Sequence, residues 1–475
     1  MRDFALKIRE RLPASINYGD ARIVETEYEH ILVRNGNVES YTRNNDIGFG
    51  VRTLLNNAWG FHSSNKIEET EIDRVIDKSL EIAKASGIAK GKSVSLSHLN
   101  PQKGRYKTEI EKDPFGVSVE NKINLLLTLD SILSNYKAVK VRTARMICIK
   151  ERKIFMSTEG SLIEQEIVHT GAEIRALAVK EGEVQTRSYG DFGQAGYEFI
   201  EGLKLPQEAP RVGEEAEKLL RAKSCPSGKK DIVISDDQMV LQVHESIGHP
   251  TELDRVFGTE ASYAGTSFVT PEKLGSFKYG SKFVNITADA TIKNGLGGFG
   301  WDDEGVPAQR IYLIKEGVFN DYLSSRDTAP LIGRESTGAM RASSWSRIPI
   351  IRMTNINLEP GEFTLEELID GVSDGLYLLT NKSWSIDDRR INFQFGVEFA
   401  YEIKNGKLGE IIKDTTYTGI TPKFWNSCDG VGNKDCWKMH GVMNCGKGEP
   451  GQSMRVGHGT APARFRGIEV GVFRK

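Results

Sequence analysis

The chain has 475 residues, of which 39% are hydrophobic and 27% are charged, a balance typical of a folded globular protein. At about 150 residues per domain, a chain of this length is expected to form two or three domains. Its 63 Lys and Arg residues against 65 Asp and Glu residues give a net charge of -2, so no strong positive field attracts phosphate backbones. Direct nucleic-acid binding is therefore not expected.

The cysteine content and the hydropathy pattern indicate the compartment. The chain has 5 cysteines, an odd number spread over a long sequence, which argues against a framework of disulfides. The N-terminal segment carries charges in every turn and lacks the apolar stretch of a signal peptide. No later stretch approaches the ~18 consecutive apolar residues of a membrane span. We therefore expect a cytoplasmic protein that does not associate with a membrane.

In chain order, the predicted elements fall into three zones. Residues 1–100 begin with an amphipathic helix, continue as strands with alternating apolar and polar side chains, and end in a second helix. Residues 101–228 are predicted to form a central α+β domain, in which a helix precedes long alternating strands and another helix follows them. Residues 229–475 are Gly-rich with short strands, as expected for a closed or sandwiched β-domain. We predict an α+β protein in which an N-terminal α/β region of antiparallel sheets with helices precedes a mostly-β C-terminal domain.

The most specific local signal is the sequence HESIGH at residues 244–249. A strand precedes it, and Ser235 and Gln238 form the S-x-x-Q pattern of a capping box, so the motif is predicted to lie on a helix. Two histidines four residues apart lie on one helical face, but five residues advance about 500°, which separates these imidazoles by roughly 140°. Because Gly248 loosens the backbone and Pro250 disfavours the α conformation at His249, the helix is expected to distort or end there.

With this distortion, His244 and His249 become candidate metal ligands on a metal-binding helix. Glu245 is then placed to accept a proton from a metal-bound water. The alternative is a helix end that carries two ordinary histidines.

A catalytic zinc has three protein ligands and one open position, and the C-terminal region offers candidates for the third. Three cysteines and a histidine lie close together in sequence: Cys428, Cys436, His440 and Cys445. Either Cys445 completes the site of His244 and His249, or these four residues form a separate structural zinc knot. A knot normally includes two cysteines separated by two to four residues, and none occurs here, so we favour the first interpretation. Cys428 and Cys436 are then small buried hydrophobic residues.

Four motifs together resemble the TldD/PmbA metalloprotease family: HExxxH at residues 244–249, GWDDEGVPAQ at 300–309, RESTGAMR at 334–341 and NCGKGEPGQ at 444–452. The N-terminal passage from VRNGNVES to NNAWGF is also similar to the first domain of that family. The resemblance implies that His244, His249 and Cys445 bind zinc and that Glu245 is catalytic.

The family has an active TldD-like branch with the HExxxH motif and a PmbA-like (TldE) branch that lacks the metal ligands. The resemblance places this chain in the active branch, with one Zn²⁺ per active subunit. It further implies hydrolysis of peptides or unfolded polypeptides, an indirect association with DNA gyrase modulation, and a dimer with either a second copy or a PmbA/TldE-like paralogue. His458, which follows the cysteine segment, is interpreted as a loop histidine unrelated to the metal.

Two further groups are candidates for substrate binding. Asp302, Asp303 and Glu304 are expected to line the cleft beside the metal and hold a peptide or its N-terminus, and the alternative is a solvated turn. Arg341 is placed to bind carbonyl oxygens or a C-terminal carboxylate, and structural salt bridges are the alternative.

The sequence thus predicts a zinc-dependent peptidase with Glu245 as the general base. The alternative is a non-hydrolytic partner or regulatory subunit, of the PmbA/TldE or gyrase-modulator type, in which a structural metal fixes the C-terminal segment to the helix.

Overall fold

The fold is taken from a computed structural model that describes residues 1–88 and 94–471. It is a mixed α+β protein, which confirms the predicted fold class. No helix in these two ranges is long and apolar enough to cross a bilayer.

The first half of the chain forms one large sheet covered by helices. Its strands are β1 Tyr18–Arg34, β2 Asn37–Leu55, β3 Ala58–Ser64, β4 Lys103–Lys107, β5 Val139–Ser157, β6 Leu162–Lys180 and β7 Glu183–Gly193. They pair in the order β3-β2-β1-β5-β6-β4, and β7 also pairs with β6. The helices are α1 Arg2–Arg11, α2 Glu69–Ile88, α3 Val119–Ser134, α4 Tyr197–Gly202 and α5 Leu205–Leu219.

This sheet is continuous across the predicted boundary at residue 100. Strand β1 pairs antiparallel with β5 from Asp20 opposite Ser157 to Arg34 opposite Thr143. Side chains alternate between the two faces of a strand, so Ile23 and Val33 of β1 lie on the same face. Ile23 packs in the core under α1 and α2, and Val33 in the core under α3 and α5. The opposite face of the sheet is therefore left for the C-terminal half of the chain.

The C-terminal half is built around a closed barrel. Its strands are β8 Lys223–Ser224, β9 Gly228–Ile234, β10 Ile286–Asp289, β11 Arg310–Lys315, β12 Val318–Phe319, β13 Met340–Arg341, β14 Ile350–Ile351, β15 Ile356–Leu358, β16 Asp374–Ile386, β17 Asn392–Lys404, β18 Lys407–Lys413, β19 Thr416–Ile420, β20 Cys428–Val431, β21 Lys438–Lys447, β22 Gln452–Thr460 and β23 Ala463–Val470. Strands β16, β9, β23, β19 and β17 pair in that order, and β16 also pairs with β17, which closes the ring. Of the two forms expected, a closed or a sandwiched β-domain, the structure has the closed one.

The helices of this half are short: α6 Asp236–Val243, α7 Leu253–Val256, α8 Leu365–Asp370 and α9 Thr421–Asn426. Single 3₁₀ turns occur at Pro114–Gly116, His249–Thr251, Pro271–Lys273, Ala329–Ile332 and Lys434–Cys436. Strand β9 leads directly into α6, whose Val243 is buried in the same apolar core as the barrel residues Phe395 and Phe465. The barrel therefore fixes the helix that carries the HESIGH motif.

Candidate metal centre

Helix α6 begins at the predicted residue, with half of the predicted cap. The hydroxyl of Ser235 accepts a hydrogen bond from the backbone N–H of Gln238 at 3.4 Å. The side chain of Gln238 donates to the hydroxyl of Tyr417 at 3.1 Å instead of returning to Ser235. The reciprocal bond of a capping box is absent, because the backbone N–H of Ser235 donates to the carbonyl oxygen of Leu378 at 2.9 Å.

The helix then widens into a π-helical turn, His244–Gly248. The backbone N–H of His249 donates to the carbonyl of His244, five residues earlier, as a π-helix requires. Residues five apart consequently lie above one another, and the ring centroids of His244 and His249 are 4.9 Å apart. The predicted distortion is confirmed, but its position differs, since His249 keeps helical dihedrals of φ -60° and ψ -43° despite Pro250.

Gly248 has a packing role at the end of this turn. A Cβ atom at this position would lie 2.2 Å from the sulfur of Met353. The absence of a side chain lets the π turn pack closely against the segment between β14 and β15.

The structure brings His244, His249 and Cys445 together. One nitrogen of each imidazole and the thiol sulfur lie within 4.8 Å of one another, and all three residues are buried. Nε2 of His249 is 3.7 Å from Sγ of Cys445. Tetrahedral zinc with bonds of about 2.1 Å to nitrogen and 2.3 Å to sulfur would separate such atoms by about 3.6 Å, so this donor set fits zinc. The function of these residues as ligands stays a prediction.

Cys445 reaches the histidines from the hairpin of β21 and β22. The register of this hairpin shifts between Val442 and Cys445, and such an irregularity redirects a side chain. Arg352, fully buried, donates a hydrogen bond to the carbonyl oxygen of Cys445 and fixes the backbone there.

The separate zinc knot is not formed. Among the described residues, only His244, His249 and Cys445 form a group of three or more potential ligands with one donor atom each lying within 4.8 Å of the others. Cys428 is buried on β20, and burial raises the pKa of its thiol to about 12. Cys436 is partly buried, and His440 lies between two carboxylates, with Nδ1 2.7 Å from Asp191 and Nε2 3.2 Å from Asp236.

The structure corrects the expectation that His458 is a loop histidine unrelated to this site. It lies on β22, fully buried, with Nε2 2.9 Å from Nδ1 of His244 and Nδ1 3.0 Å from the carbonyl oxygen of Ile356. Since a carbonyl only accepts, Nδ1 of His458 donates and Nε2 accepts from His244. Burial holds the pKa of His458 well below its ordinary value, so the ring is neutral. This pair of hydrogen bonds keeps the proton of His244 on Nδ1 and leaves its Nε2 lone pair free for a metal.

His249 is oriented in a similar way by a carboxylate. Its Nδ1 is 2.9 Å from Oε2 of Glu252, which directs Nε2 toward Cys445. Burial raises the pKa of Glu252, but the charges of Lys447 and His249 outweigh this effect and lower it. Lys447, two residues after Cys445, lies 3.4 Å from Glu252 and 2.6 Å from Asp254. The cysteine segment therefore provides a candidate ligand, Cys445, and also Lys447, the cation that pairs with the Glu252 carboxylate bonded to His249.

Glu245 lies between the histidines in sequence and is only 7% exposed. Arg390, 145 residues later, donates a hydrogen bond to its carboxylate. Burial alone would raise the pKa of Glu245, but the charges of His249, His244 and Arg390 outweigh it and lower the pKa. Nothing near Arg390 in sequence marks it as part of this site.

The acidic cluster Asp302, Asp303 and Glu304 is almost fully buried, so its interpretation as a solvated turn is wrong. Asp302 accepts hydrogen bonds from backbone N–H groups, including those of Val306 and Met340, and burial followed by the charge of Glu304 raises its pKa to about 8. The other two acids bind cations of the first sheet: Asp303 lies 2.7 Å from Lys153, and Glu304 lies 3.2 Å from Arg52.

None of the hydrogen bonds found for these three acids in the described chain leads to His244, His249 or Cys445. Asp303 and Glu304 instead connect the C-terminal half of the chain to the first sheet through their ion pairs with Lys153 and Arg52.

Arg341 makes backbone contacts. Its guanidinium donates to the carbonyl oxygens of Met353 at 2.9 Å and Arg455 at 2.8 Å. Burial, together with the charges of Arg455 and Arg352, lowers its pKa to about 10. Arg341 also lines a cavity of about 20 Å³ with Asp302 and Asp303. The predicted substrate contact of these residues stays a prediction.

Three family models match this chain. The family model described as PmbA/TldA metallopeptidase C-terminal domain matches residues 227–472. The models for domain 1 and the central domain of the same family match residues 19–83 and 112–223. This chain belongs to the PmbA/TldD metallopeptidase family.

Curated relatives of this chain carry metalloprotease names. A metalloprotease of Methanocaldococcus jannaschii is 32% identical, and the match covers 96% of this chain and 97% of that protein. A zinc metalloprotease TldD homolog of Saccharolobus solfataricus is 24% identical and covers 90% of each chain. Among solved structures, TldE from Thermococcus kodakarensis has a TM-score of 0.76 at 14% identity and covers 99% of both chains. At this identity, the structural match establishes the fold.

Proposed function

We propose that this protein is a zinc-dependent metallopeptidase that hydrolyses peptides or unfolded polypeptides. The observation that carries the proposal is the convergence of two imidazole nitrogens and one thiol on a single point, with a carboxylate on the same π turn. Three protein ligands leave one coordination position open, as catalytic zinc sites do, whereas structural sites have four. The metalloprotease names of the relatives support the same reaction.

The chain's own residues have distinct roles in this proposal. His244, His249 and Cys445 hold the ion, while His458 and Glu252 keep Nε2 of each imidazole directed at it. When bound, zinc polarises the scissile carbonyl and lowers the pKa of a water ligand to about 7. Glu245 accepts the proton of the attacking water and transfers it to the leaving amine.

The proposal includes one Zn²⁺ per active subunit and a dimer, formed either by two copies or with a PmbA/TldE-like paralogue. The paralogue is expected to have the same fold as this chain, and the fold shared with TldE from Thermococcus kodakarensis supports this. All 5 cysteines are free thiols, which supports a reducing, cytoplasmic location. The mass of the complex purified from its native host, together with its zinc content, distinguishes these assemblies.

The decisive experiment replaces Glu245 with glutamine. Glu245→Gln is expected to retain zinc and lose cleavage of denatured casein, because glutamine cannot accept the proton. The exposed Glu366 provides the control, since Glu366→Gln should cleave as fast as the parent. Chelator should inactivate the parent, and added zinc should restore it. Full activity of Glu245→Gln, or of chelated protein, would refute the proposal and favour the non-hydrolytic alternative.

A further inference from the structure

Arg390 lies at the tip of the β16–β17 hairpin in an unusual backbone conformation. Its φ is +62°, a left-handed value that costs a non-glycine residue energy and that clusters at functional sites. The tip is held rigidly: the N–H of Arg390 donates to the carbonyl of Asp387 at 2.8 Å, and its own carbonyl accepts from the hydroxyl of Thr421 at 2.8 Å. These two bonds fix the backbone from which the Arg390 side chain extends.

The tip is also fastened to the segment that follows the metal-binding turn. The carbonyl of Asp388 accepts hydrogen bonds from the N–H of Thr266 at 3.0 Å and from the guanidinium of Arg255 at 3.1 Å. Arg255 is fully buried and lies six residues after His249 in sequence. Arg390 therefore keeps its position relative to the candidate ligands.

The guanidinium of Arg390 has donors left over at this position. It is bonded to Glu245, its side chain is only 13% exposed, and its buried Nε has no hydrogen-bond partner among the described residues. A guanidinium carries five N–H donors, and a buried cation with unpaired donors is costly unless another acceptor arrives. The strongest such acceptor in a peptidase is the carbonyl oxygen that becomes negative during the reaction.

We infer that Arg390 is a catalytic residue that donates hydrogen bonds to the scissile carbonyl oxygen as negative charge develops on it. This inference rests on the proposed peptidase function. Water oxygen bonds to the carbonyl carbon, the carbonyl π pair moves to the oxygen, and Arg390 stabilises that charge. The C–N bond then breaks as the oxygen pair returns, and the amine leaves with the proton carried by Glu245. The planar, permanently charged guanidinium suits this contact better than an ammonium group.

Three variants test the inference. Arg390→Met removes the side-chain donors, and Arg390→Asn replaces the guanidinium with a shorter, neutral amide on a residue that tolerates left-handed φ. Arg389→Met is the matched control, because Arg389 is the exposed neighbour on the same tip. For both Arg390 variants we expect kcat to fall about 10²- to 10³-fold, the range for loss of one such donor, while KM and zinc content stay close to those of the parent.

A second readout separates catalysis from support of the fold. Affinity for a phosphonamidate peptide, which imitates the charged tetrahedral carbon, should fall by the same factor as kcat/KM in both Arg390 variants. Affinity for the product peptides should stay unchanged, and Arg389→Met should match the parent in every measurement. A structural role would instead lower the unfolding temperature or zinc content without a selective loss of phosphonamidate binding.

A fall in kcat of less than tenfold, or phosphonamidate affinity equal to that of the parent, would overturn the inference. Loss of activity in Glu245→Gln together with full activity in Arg390→Met would refute the role of Arg390 alone. Full activity in Glu245→Gln would refute the peptidase mechanism itself.

Discussion

Replacing His458 with leucine removes the acceptor that fixes the ring of His244. In the parent, Nε2 of His458 accepts from Nδ1 of His244 at 2.9 Å, and both imidazoles are buried. Without this acceptor, the His244 tautomer with its proton on Nε2 becomes more stable than the one with the proton on Nδ1. Zinc binding needs the Nε2 lone pair, so the proton must then return to Nδ1 at a cost in free energy. A buried donor left without a partner costs about 1–3 kcal/mol. Since 1.4 kcal/mol is a factor of ten, zinc should bind about 5- to 150-fold more weakly.

This range overlaps the 10- to 100-fold loss typical when the hydrogen-bond partner of a ligand is removed. Competition with a chromophoric chelator at fixed pH measures the zinc affinity of parent and variant. His458→Gln, whose amide oxygen can accept from His244, should recover most of the affinity. The exposed His98 provides the control, so His98→Leu should bind zinc like the parent. If His458→Leu bound zinc with an affinity within threefold of that of the parent, the proposed series of hydrogen bonds from Ile356 through His458 to His244 would be refuted.

Three other perturbations probe the site and the fold. Cys445→Ser should weaken zinc binding more than about 100-fold, because removing only the hydrogen-bond partner of a ligand already costs up to about 100-fold. A smaller loss, measured by the same chelator competition, would show that Cys445 is not a ligand. Gly297→Ala places a Cβ 2.2 Å from the backbone oxygen of Thr354, so urea unfolding should show a loss of about 1–3 kcal/mol, whereas an unchanged midpoint would contradict the close approach. Burial lowers the pKa of His440, but the carboxylates of Asp191 and Asp236 outweigh this effect and raise the pKa from 6.5 to about 10. Its stabilisation is therefore complete below about pH 6.5 and lost as pH rises through 10, so the stability difference between parent and His440→Gln, measured by urea unfolding, should shrink between pH 7 and pH 10.

The arrangement around His244 shows where sequence reasoning succeeds. The five-residue spacing predicts that a regular helix cannot align the two imidazoles, and the chain responds with a π turn. That response is local, because it consists of backbone hydrogen bonds between residues five apart in sequence. The effect expected of Pro250 is not seen, since His249 keeps helical dihedrals.

The acidic run Asp302–Glu304 shows where it fails. Consecutive charges suggest solvent, yet the structure buries them against Lys153 and Arg52 of the first sheet. Whether such charges are buried depends on cations more than 140 residues away, which no local pattern reveals. The same limit applies to His458, whose position follows from the pairing of β21 with β22 and from the contact with Ile356.

Local geometry thus determined the helix, its distortion and the alternation of the long strands. Periodicity and hydrogen bonding between near neighbours act over a few residues, so these features can be inferred from the chain alone. The tertiary structure decided which distant groups meet there: the thiol of Cys445, the imidazole of His458 and the guanidinium of Arg390. They come from strands and a hairpin tip whose positions are set by long-range pairing in the barrel, and that pairing depends on the packing of the whole core.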